Sequence, residues 1–539
     1  MIINPNQSMY KVFKDSALRS PNYPCFIFQH KTFKYKDVLK NVNKFASKLK
    51  ELGIKKDDVV SVCLPNIPDV IYLLYSLNQI GAICNMLHPL LNREQLRENL
   101  KKTGSKILFF LDQNYNEISP LIEEGIQLIS CCPVEQFNCV VKLVYRKQNK
   151  EKFYFNFDKR ILTTRDFLKN KNSLEDFDED YKKDSIYLHS GGTTGESKTI
   201  ALSNYAINSL TQHGTLIMNI PDARGTYMLS VLPTFHGFGL AMGVHAEITY
   251  SGCNVLMPKF STKETIKYLK KGVITFIIGV PTLYEALLNN KNFNGKILKN
   301  IRECFVGGDT VSDSLRNRYN NLLKQNGSKG RLFEGYGLTE TVTVLCVNIF
   351  KSFKDGSVGK PLPGIECKVI DTETLKEVPP NKEGELVVRG TTLMNGYRFE
   401  KHPIPHKELF VKIGSGEEWL RTGDYCKIDE DGFIYFITRL KRIYKVKGIN
   451  VFPVEIENLV KGLDYVFSCA AIGVPDPKFG SITKLFVILN KTYRGQKPTE
   501  QISNLIVEKL GIYSKPREIV YVDKLPQTMV GKIDVKKLH

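Results

Sequence analysis

The sequence predicts an α/β protein. It should have a large N-terminal domain of mostly parallel sheets layered with helices, a β-rich subdomain within it, and a small α+β C-terminal domain. Three observations carry this prediction. Helix and strand signals alternate through the first third, short strand-like runs separated by turn signals fill 365–436, and about 100 residues of mixed pattern follow Arg439. We therefore expect an N-terminal domain at 1–438, its β-rich subdomain at about 365–438, and a C-terminal domain at 439–539.

The alternation is clearest between Val38 and Leu111. Apolar residues recur at helical spacing from Val38 to Leu52, and Gly53 follows as a signal for the end of a helix. The pattern then predicts a strand at 58–64, a helix at 67–80, a strand at 81–87, a helix at 92–103 and a strand at 106–111. Asn92 is a suitable N-cap for the helix at 92–103. Repeated strand–helix–strand units of this kind predict a parallel sheet.

Composition excludes several classes of protein. The chain is 42% hydrophobic and 24% charged, as in ordinary globular proteins. It has neither the roughly 18 unbroken apolar residues of a transmembrane segment nor an N-terminal secretory pattern, so we expect a cytoplasmic protein. The net charge is +20, but the lysines are spread along the chain without interleaved aromatics, which disfavours a nucleic-acid partner. The 12 cysteines lack metal-ligand spacing.

The first candidate ligand-binding motif is the loop from His189 to Lys198, with the sequence HSGGTTGESK. Its glycines let the backbone approach a phosphate closely, and its successive amide groups can form an anion-binding nest. The hydroxyls and the lysine add hydrogen-bond donors and a cation. The lysine follows Gly195 by three residues, which differs from the Walker spacing. A flexible surface turn is the alternative interpretation.

Two further motifs could complete a nucleotide site. In EGYGLTE at 334–340, a tyrosine between two glycines suits a flat ring, and Glu340 could bind Mg²⁺. In RTGD at 421–424, Asp424 follows a predicted glycine turn and could accept two hydrogen bonds from a ribose diol. Each motif is also compatible with an ordinary tight turn.

The last two motifs are basic. They are the run from Arg439 to Glu457, RLKRIYKVKGINVFPVEIE, and the sequence GKID at 531–534. A basic run is usually a solvated face, and a lysine near a chain end is usually frayed. Neither motif indicates a functional site by itself.

Taken together, the order and spacing of these motifs resemble the superfamily of acyl-CoA synthetases, firefly-type luciferases and non-ribosomal adenylation domains. The resemblance runs from about Thr32 to Leu538 and includes LPTFHGFG at 232–239, Gly307-Gly308, Gly384-Glu385-Leu386 and Gly396-Tyr397. It implies a ligase that activates a carboxylic acid with ATP and Mg²⁺ and passes the acyl group to a thiol. It also implies that the C-terminal domain is mobile and swings between the two half-reactions.

The resemblance implies roles for individual residues. ATP and AMP would be bound by Ser190, Gly191, Gly192, Thr193, Thr194, Gly195, Lys198, Gly308, Gly335, Tyr336, Gly337, Thr339, Asp424 and Arg439. The catalytic residues would be Lys532, Glu340, Lys445 and His236, with Glu340 as the Mg²⁺ ligand. The acyl pocket would contain His236, Phe238, Gly239, Val280 and Gly307. Lys441 would be the hinge, and Gly448 would bind coenzyme A.

Three loop positions depart from the pattern usual in this superfamily. Gly191 stands in place of serine, Ser197 in place of proline and Thr199 in place of glycine. Because serine lacks the fixed φ of proline, we expect the loop to be more flexible than its counterparts.

The sequence around His236 bears on the acid. Amino-acid-activating relatives carry an aspartate at this position, so a substrate ammonium would lack its carboxylate and amino acids are disfavoured. An apolar slot for a fatty or aryl acid is indicated by Phe235, Phe238, Leu240, Val280 and Gly307. Coenzyme A is the expected acceptor. Loading of an acyl carrier protein is one alternative, and a non-catalytic nucleotide-binding relative is the other.

Overall fold

The computed structural model describes residues 3–149, 158–170, 180–190, 197–414, 416–490, 493–527 and 533–538. In the first part of the chain the helices are α1 (Met9–Arg19), α2 (Tyr35–Glu51), α3 (Pro68–Gln79), α4 (Arg93–Thr103), α5 (Tyr115–Ile118), α6 (Cys139–Gln148) and α7 (Thr164–Leu168). The strands there are β1 (Pro24–Phe28), β2 (Lys31–Lys34), β3 (Val59–Cys63), β4 (Ile83–Met86), β5 (Ile107–Leu111), β6 (Gln127–Cys131) and β7 (Leu162–Thr163).

The middle of the chain continues the alternation. Its strands are β8 (Asp184–His189), β9 (Thr199–Ser203), β10 (Tyr227–Ser230), β11 (Cys253–Leu256), β12 (Phe276–Gly279), β13 (Glu303–Val306), β14 (Leu332–Tyr336), β15 (Cys346–Val347) and β16 (Lys360–Pro361). Its helices are α8 (Asn204–Thr211), α9 (Gly214–Ile217), α10 (Ala246–Thr249), α11 (Thr262–Lys270), α12 (Pro281–Leu288) and α13 (Asp313–Gln325). A π-helix at Phe238–His245 leads directly into α10.

The last part is rich in strands. They are β17 (Ile365–Ile370), β18 (Glu383–Gly390), β19 (Gly396–Arg398), β20 (Phe410–Ile413), β21 (Glu417–Ile428), β22 (Ile434–Arg439), β23 (Tyr444–Val446), β24 (Ile449–Val451), β25 (Val466–Asp476), β26 (Gly480–Leu489) and β27 (Pro516–Tyr521). The helices are α14 (His406–Leu409), α15 (Pro453–Lys461) and α16 (Thr499–Leu510).

Two large sheets organise the first two parts. One has the strand order β16-β15-β14-β13-β12-β10-β11-β1-β2, and the other β19-β9-β8-β4-β3-β5-β6-β7. From β14 to β1 in the first sheet, and from β8 to β7 in the second, all neighbouring strands are parallel. Every residue of α3 is buried, as expected for a helix covered on all sides. The predicted α/β class with largely parallel sheets is therefore confirmed.

Local signals account for both ends of helix α4. The Asn92 side chain accepts from the Gln95 N–H at 2.9 Å, and the Gln95 side chain accepts from the Asn92 N–H at 3.1 Å, which completes a capping box for α4. At the other end Gly104 has φ +67°, a common C-terminal cap. The last turn of α4 carries Lys102, whose contacts are described below.

The segment after Lys441 has its own core and its own three-stranded sheet, β25-β26-β27. Its core is formed by Val446, Val451, Ile456, Val460, Val466, Cys469, Ala471, Leu485, Val487, Ile502 and Ile506. Strands β17, β18, β20, β21 and β22 form a separate, fully antiparallel sheet just before it. The domain boundaries given above remain predictions.

Candidate active site

A cleft of about 2380 Å³ lies where the carboxyl ends of the parallel strands meet the C-terminal segment. His189, Val306 and Tyr336 are the last residues of β8, β13 and β14, and all three line the cleft. Open α/β sheets bind ligands outside the carboxyl ends of their strands. This cleft is therefore the candidate active site.

A buried carboxylate, Asp424, contacts two residues that line the cleft, Tyr336 and Arg439. The Tyr336 hydroxyl donates to Asp424 Oδ2 at 2.6 Å, and Arg439 Nε lies 3.2 Å from Asp424 Oδ1. Asp424 is fully buried and lies opposite Arg439 in the antiparallel pair β21–β22. Burial and the neighbouring carboxylate raise the pKa of Tyr336, so its hydroxyl stays a donor. The attraction of Asp424 raises the pKa of Arg439.

The same tyrosine forms part of a flat slot. Its ring lies 5.8 Å from the ring of Phe436 at an angle of 31°. A Cβ at Gly337 would lie 1.4 Å from the Thr343 carbonyl oxygen, so this backbone approach requires glycine. Gly308, with φ +82°, and Gly335 also line the cleft. Tyr336 and Phe436 therefore offer aromatic surface to the cleft.

Glu340 lies beside this slot in the short 3₁₀ turn Thr339–Thr341. Its Oε1 accepts from the Tyr397 hydroxyl at 2.9 Å, and the Lys198 ammonium lies 4.6 Å from the centre of the Tyr397 ring. Burial and the Glu340 charge raise the pKa of Tyr397. Tyr397 therefore links a cation and a carboxylate that both line the cleft.

The base of the glycine-rich loop is closed by hydrogen bonds. The Ser190 N–H donates to the Lys198 carbonyl at 3.1 Å, and the Ser197 hydroxyl donates to the Ser190 carbonyl at 2.7 Å. The predicted phosphate-binding residues inside the loop, Gly191, Gly192, Thr193, Thr194 and Gly195, lie outside the described residues. Ser190 and Lys198 line the cleft.

One part of the cleft is lined by apolar residues, and we call it the apolar arm. Phe238, Met242 and Ala246 follow one another along the π-helix and the start of α10, and each lines the cleft. The remaining apolar wall is formed by Ile217, Met218, Met228, Ile278, Phe305 and Val306. A Cβ built on Gly307 would lie 3.0 Å from the Gly335 carbonyl oxygen and 3.6 Å from Phe238, so a side chain here would narrow the entrance to this arm. His236, also predicted for the pocket, lines the cleft.

Two predicted pocket residues lie elsewhere. A Cβ at Gly239 would lie 2.1 Å from the Pro233 carbonyl oxygen, so this glycine packs against the loop before the π-helix and not against the cleft. Val280 caps the N-terminus of α12 and packs against a separate core that contains Leu283 and Leu287. Neither residue lines the cleft, and their assignment to the acyl pocket stays a prediction. The direction in which each of these two residues packs depends on the helix end that carries it. Sequence spacing alone does not show that direction.

The predicted hinge lies between two anchored arginines. Lys441 is in the 3₁₀ turn Leu440–Arg442, preceded by Arg439 on Asp424. Arg442 Nη2 lies 2.6 Å from Glu457 Oε1, and the same oxygen accepts from the Ala471 N–H at 2.9 Å. Lys441 thus lies between an arginine bound to the antiparallel sheet and an arginine bound to the C-terminal segment.

The structure separates the remaining predicted residues of the C-terminal segment. Lys445 and Gly448 lie in the β23–β24 hairpin, are exposed, and do not line the cleft. Ile533 and Asp534 do line it. Lys532, the residue before them, lies outside the described residues.

Comparison with known proteins identifies the family. The sequence matches the family model for AMP-binding enzymes over residues 13–398, and the model for the C-terminal domain of AMP-binding enzymes over 455–532. The chain belongs to the AMP-binding enzyme family. The predicted superfamily is thereby confirmed.

Similar members of this family match over their whole length. A long-chain-fatty-acid–CoA ligase of Bacillus subtilis strain 168 is 28% identical over 99% of this chain and 94% of its own. A long-chain-fatty-acid–CoA ligase of Escherichia coli O157:H7 is 29% identical over 100% and 95%. Crystal structures of ATP-bound MatB from Rhodopseudomonas palustris and of a benzoate CoA ligase from Burkholderia xenovorans LB400 share the fold. Their TM-scores are 0.84 and 0.83 at 21% and 19% identity, covering 99% of this chain and 98% and 99% of theirs.

Several residues of the candidate active-site cleft were not singled out from the sequence. Tyr397 had only its place in a Gly-Tyr pair to mark it, and nothing linked it to Glu340. The methionines Met218, Met228 and Met242 lie on three different elements, after α9, on β10 and in the π-helix, and meet only in the fold. Within the described part of the chain no helix is long and apolar enough to cross a bilayer, and no cluster of three His, Cys, Asp or Glu side chains could hold a metal ion.

Proposed function

We propose that this protein is an AMP-forming acid–CoA ligase. It would join a carboxylic acid to the α-phosphate of ATP, release pyrophosphate, and transfer the acyl group to the thiol of coenzyme A. The observation that carries the proposal is that Tyr336 and Arg439, both held by the buried Asp424, line one cleft with Glu340 and an apolar arm. Full-length relatives named as CoA ligases support it.

The residues present fit a nucleotide. Glycine is required at Gly337, and the ring of Tyr336 offers adenine a flat surface. Asp424 has the two oxygens needed to accept hydrogen bonds from a ribose diol, and the contact with Arg439 orients that carboxylate. Thr339 would contact the α-phosphate, and Ser190 with Lys198 would hold the outer phosphates from the two ends of the loop.

Charge is the central difficulty of the reaction, because the attacking carboxylate and the phosphate are both anionic. We infer that Lys532 neutralises and aligns them, as preorganised cations do for developing charge. Mg²⁺, held by Glu340, would supply further positive charge at the phosphates. Lys198 is already fixed beside Glu340 through Tyr397. Positioning and electrostatics therefore account for most of the expected rate.

The second half-reaction requires a different arrangement of the C-terminal segment. Lys445 and Gly448 are exposed away from the cleft, whereas Asp534 lines it. We propose that rotation about Lys441 exchanges these two surfaces. Lys532 would then leave the acyl-adenylate, and Gly448 would approach with the pantetheine chain. Such domain motion gates a reaction without any change in the large sheets.

The shape of the apolar arm favours a fatty acid over an aryl acid. Phe238 and Ala246 are eight positions apart on one continuous helical run, at most roughly 12 Å at the α-helical rise. The apolar lining continues past Phe238 to Met242 and Ala246, which suits an extended chain, and methionine adapts to flexible apolar chains. Each methylene buried there would stabilise the complex by about 0.8 kcal/mol.

The decisive experiment is pyrophosphate release with ATP and Mg²⁺ across straight-chain and aryl acids. The thioester would be analysed with coenzyme A, with an acyl carrier protein, and with neither. We expect release that requires an acid, is fastest with fatty acids, and gives a thioester with coenzyme A. If the thioester forms only on the carrier protein, that protein and not coenzyme A is the acceptor. If no acid causes pyrophosphate release, the proposal is refuted.

A further inference from the structure

A carboxylate lies at the edge of the proposed phosphate site. The Glu400 side chain is 12% exposed, lines the cleft, and its Oε1 accepts from the Thr199 N–H at 3.2 Å. Thr199 immediately follows Lys198. An uncompensated negative charge here would repel the polyphosphate of ATP, because like charges in a partly buried site interact strongly.

Lys102 compensates that charge. Its ammonium lies 3.4 Å from Glu400 Oε1 and donates to the Ser197 carbonyl oxygen at 3.2 Å. Its field also reaches His189 at the end of β8, where burial and, after it, Lys102 lower the pKa to about 4. One cation from the last turn of α4 therefore acts on both sides of the loop.

These contacts fall on positions where the loop departs from the pattern usual in the superfamily. Ser197 and Thr199 replace proline and glycine, so the backbone loses the fixed φ of proline. In their place Lys102 binds the carbonyl of Ser197, and Glu400 binds the N–H of Thr199, whose side chain is fully buried. The two side chains come from distant segments, one on α4 and one just after β19.

We propose that Lys102 and Glu400 are a pair of positioning residues for ATP. They fix the Ser197–Thr199 end of the phosphate loop, and Lys102 cancels the Glu400 charge that would otherwise oppose the phosphates. The assignment of ATP as the ligand rests on the proposed function. Neither residue contacts the reacting atoms, so their effect falls on nucleotide binding.

The test compares steady-state kinetics of Lys102→Met, Glu400→Gln and the double variant. Lys102→Met leaves Glu400 uncompensated and should raise KM for ATP roughly tenfold, with a smaller change in kcat and in KM for the acid. Glu400→Gln keeps an oxygen for the Thr199 N–H and removes the charge, so its KM for ATP should change less. The double variant should regain most of the affinity that Lys102→Met loses.

Lys267→Met is the matched control. Lys267 pairs with Glu264 at 2.6 Å on the surface of α11 and should leave every constant unchanged. An unchanged KM for ATP in Lys102→Met would overturn the proposal that this pair positions ATP. A double variant as impaired as Lys102→Met would overturn the charge compensation.

Calorimetric binding of MgATP to the same variants separates the two proposals. If no acid supports pyrophosphate release by the wild-type protein but MgATP binds, the ligase proposal fails. The weaker binding of Lys102→Met and its recovery in the double variant would still support the pair. Unchanged MgATP affinity in Lys102→Met, in an active wild-type enzyme, would refute the pair alone.

Discussion

The hydroxyl of Tyr336 donates a 2.6 Å hydrogen bond to Asp424, and this bond joins two different sheets. Tyr336 ends β14 of the large parallel sheet, whereas Asp424 lies in β21 of the antiparallel sheet. The proposed nucleotide site therefore depends on how these two sheets are placed against each other. A buried carboxylate with a fixed donor and a fixed cation is well ordered before the ligand arrives.

Replacing the shared carboxylate should weaken nucleotide binding. We expect Asp424→Ala to raise the Kd for ATP by at least about tenfold, because the ribose loses its acceptor and Arg439 loses its partner. Tyr336→Phe keeps the ring, so it should have a smaller effect. Calorimetry with MgATP measures both, with circular dichroism to confirm folding. Equal affinity of Asp424→Ala and the wild type would contradict the ribose contact.

Lys532→Ala should separate the two half-reactions. We expect acid-dependent pyrophosphate exchange to fall roughly a hundred- to a thousandfold, by analogy with loss of one oxyanion donor. Thioester formation from supplied acyl-AMP should remain largely intact. Lys524→Ala, at an exposed position nearby in sequence, is the control and should affect neither rate. Equal losses in both half-reactions would show that Lys532 has another role.

Filling the inner end of the apolar arm should shorten the preferred acid. Ala246 lies two helical turns beyond Phe238, so Ala246→Phe should reduce kcat/KM for long straight-chain acids by about tenfold or more and spare short ones. Overpacking could also destabilise the protein, so Ala246→Val, a smaller change, should give a graded shift. Competition among acids of increasing length provides the measurement. An unchanged length profile in both variants would place the acyl chain elsewhere.

The buried histidine of the core should make stability depend on pH. The Tyr75 hydroxyl and Asn208 Oδ1 each lie 2.9 Å from a ring nitrogen of His245, and burial lowers its pKa to about 3. As the pH falls, His245 is therefore protonated in the unfolded chain before it is protonated in the folded protein. The contribution of neutral His245 to the free energy of unfolding is complete above about pH 6.5 and is lost as the pH falls toward 3.

Comparison of the wild type with His245→Gln isolates this effect, since all other titrating groups are present in both. Between about pH 6.5 and pH 4.5 the wild type should lose up to about 1.4 kcal/mol more unfolding free energy per pH unit. Urea titrations followed by circular dichroism at several pH values measure the difference. Parallel pH dependences would mean that the histidine is not neutral in the folded protein.

Local signals in the sequence predicted some elements closely. The helix expected at 92–103 is Arg93–Thr103 with Asn92 as its cap, and the strand expected at 106–111 is Ile107–Leu111. Capping and periodicity act within a few residues, so they are legible in the chain itself. The glycine turn expected before Asp424 lies within the long strand β21, where Gly423 has φ +68°. The pairing of β21 with β18 shifts register at this point, so the local turn preference is retained as an irregularity inside the strand.

The π-helix at Phe238–His245 had no local signal at all. Its residues other than His245 are apolar or glycine, and most of the apolar ones pack into the large hydrophobic core. The apolar arm of the cleft is a result of this packing. Its lining residues come from several strands and helices that share no sequence pattern.

The sequence by itself determined the α/β class, the order of the elements and the identity of the motifs, because periodicity, capping and residue chemistry are local properties. Tertiary structure alone decided which of those residues meet. Asp424 joins Tyr336, Tyr397 joins Glu340 to Lys198, and Lys102 joins Glu400 only because separate sheets and helices bring them within hydrogen-bonding or ring-contact distance. Distances across a cleft are fixed by packing, and packing is a property of the whole chain.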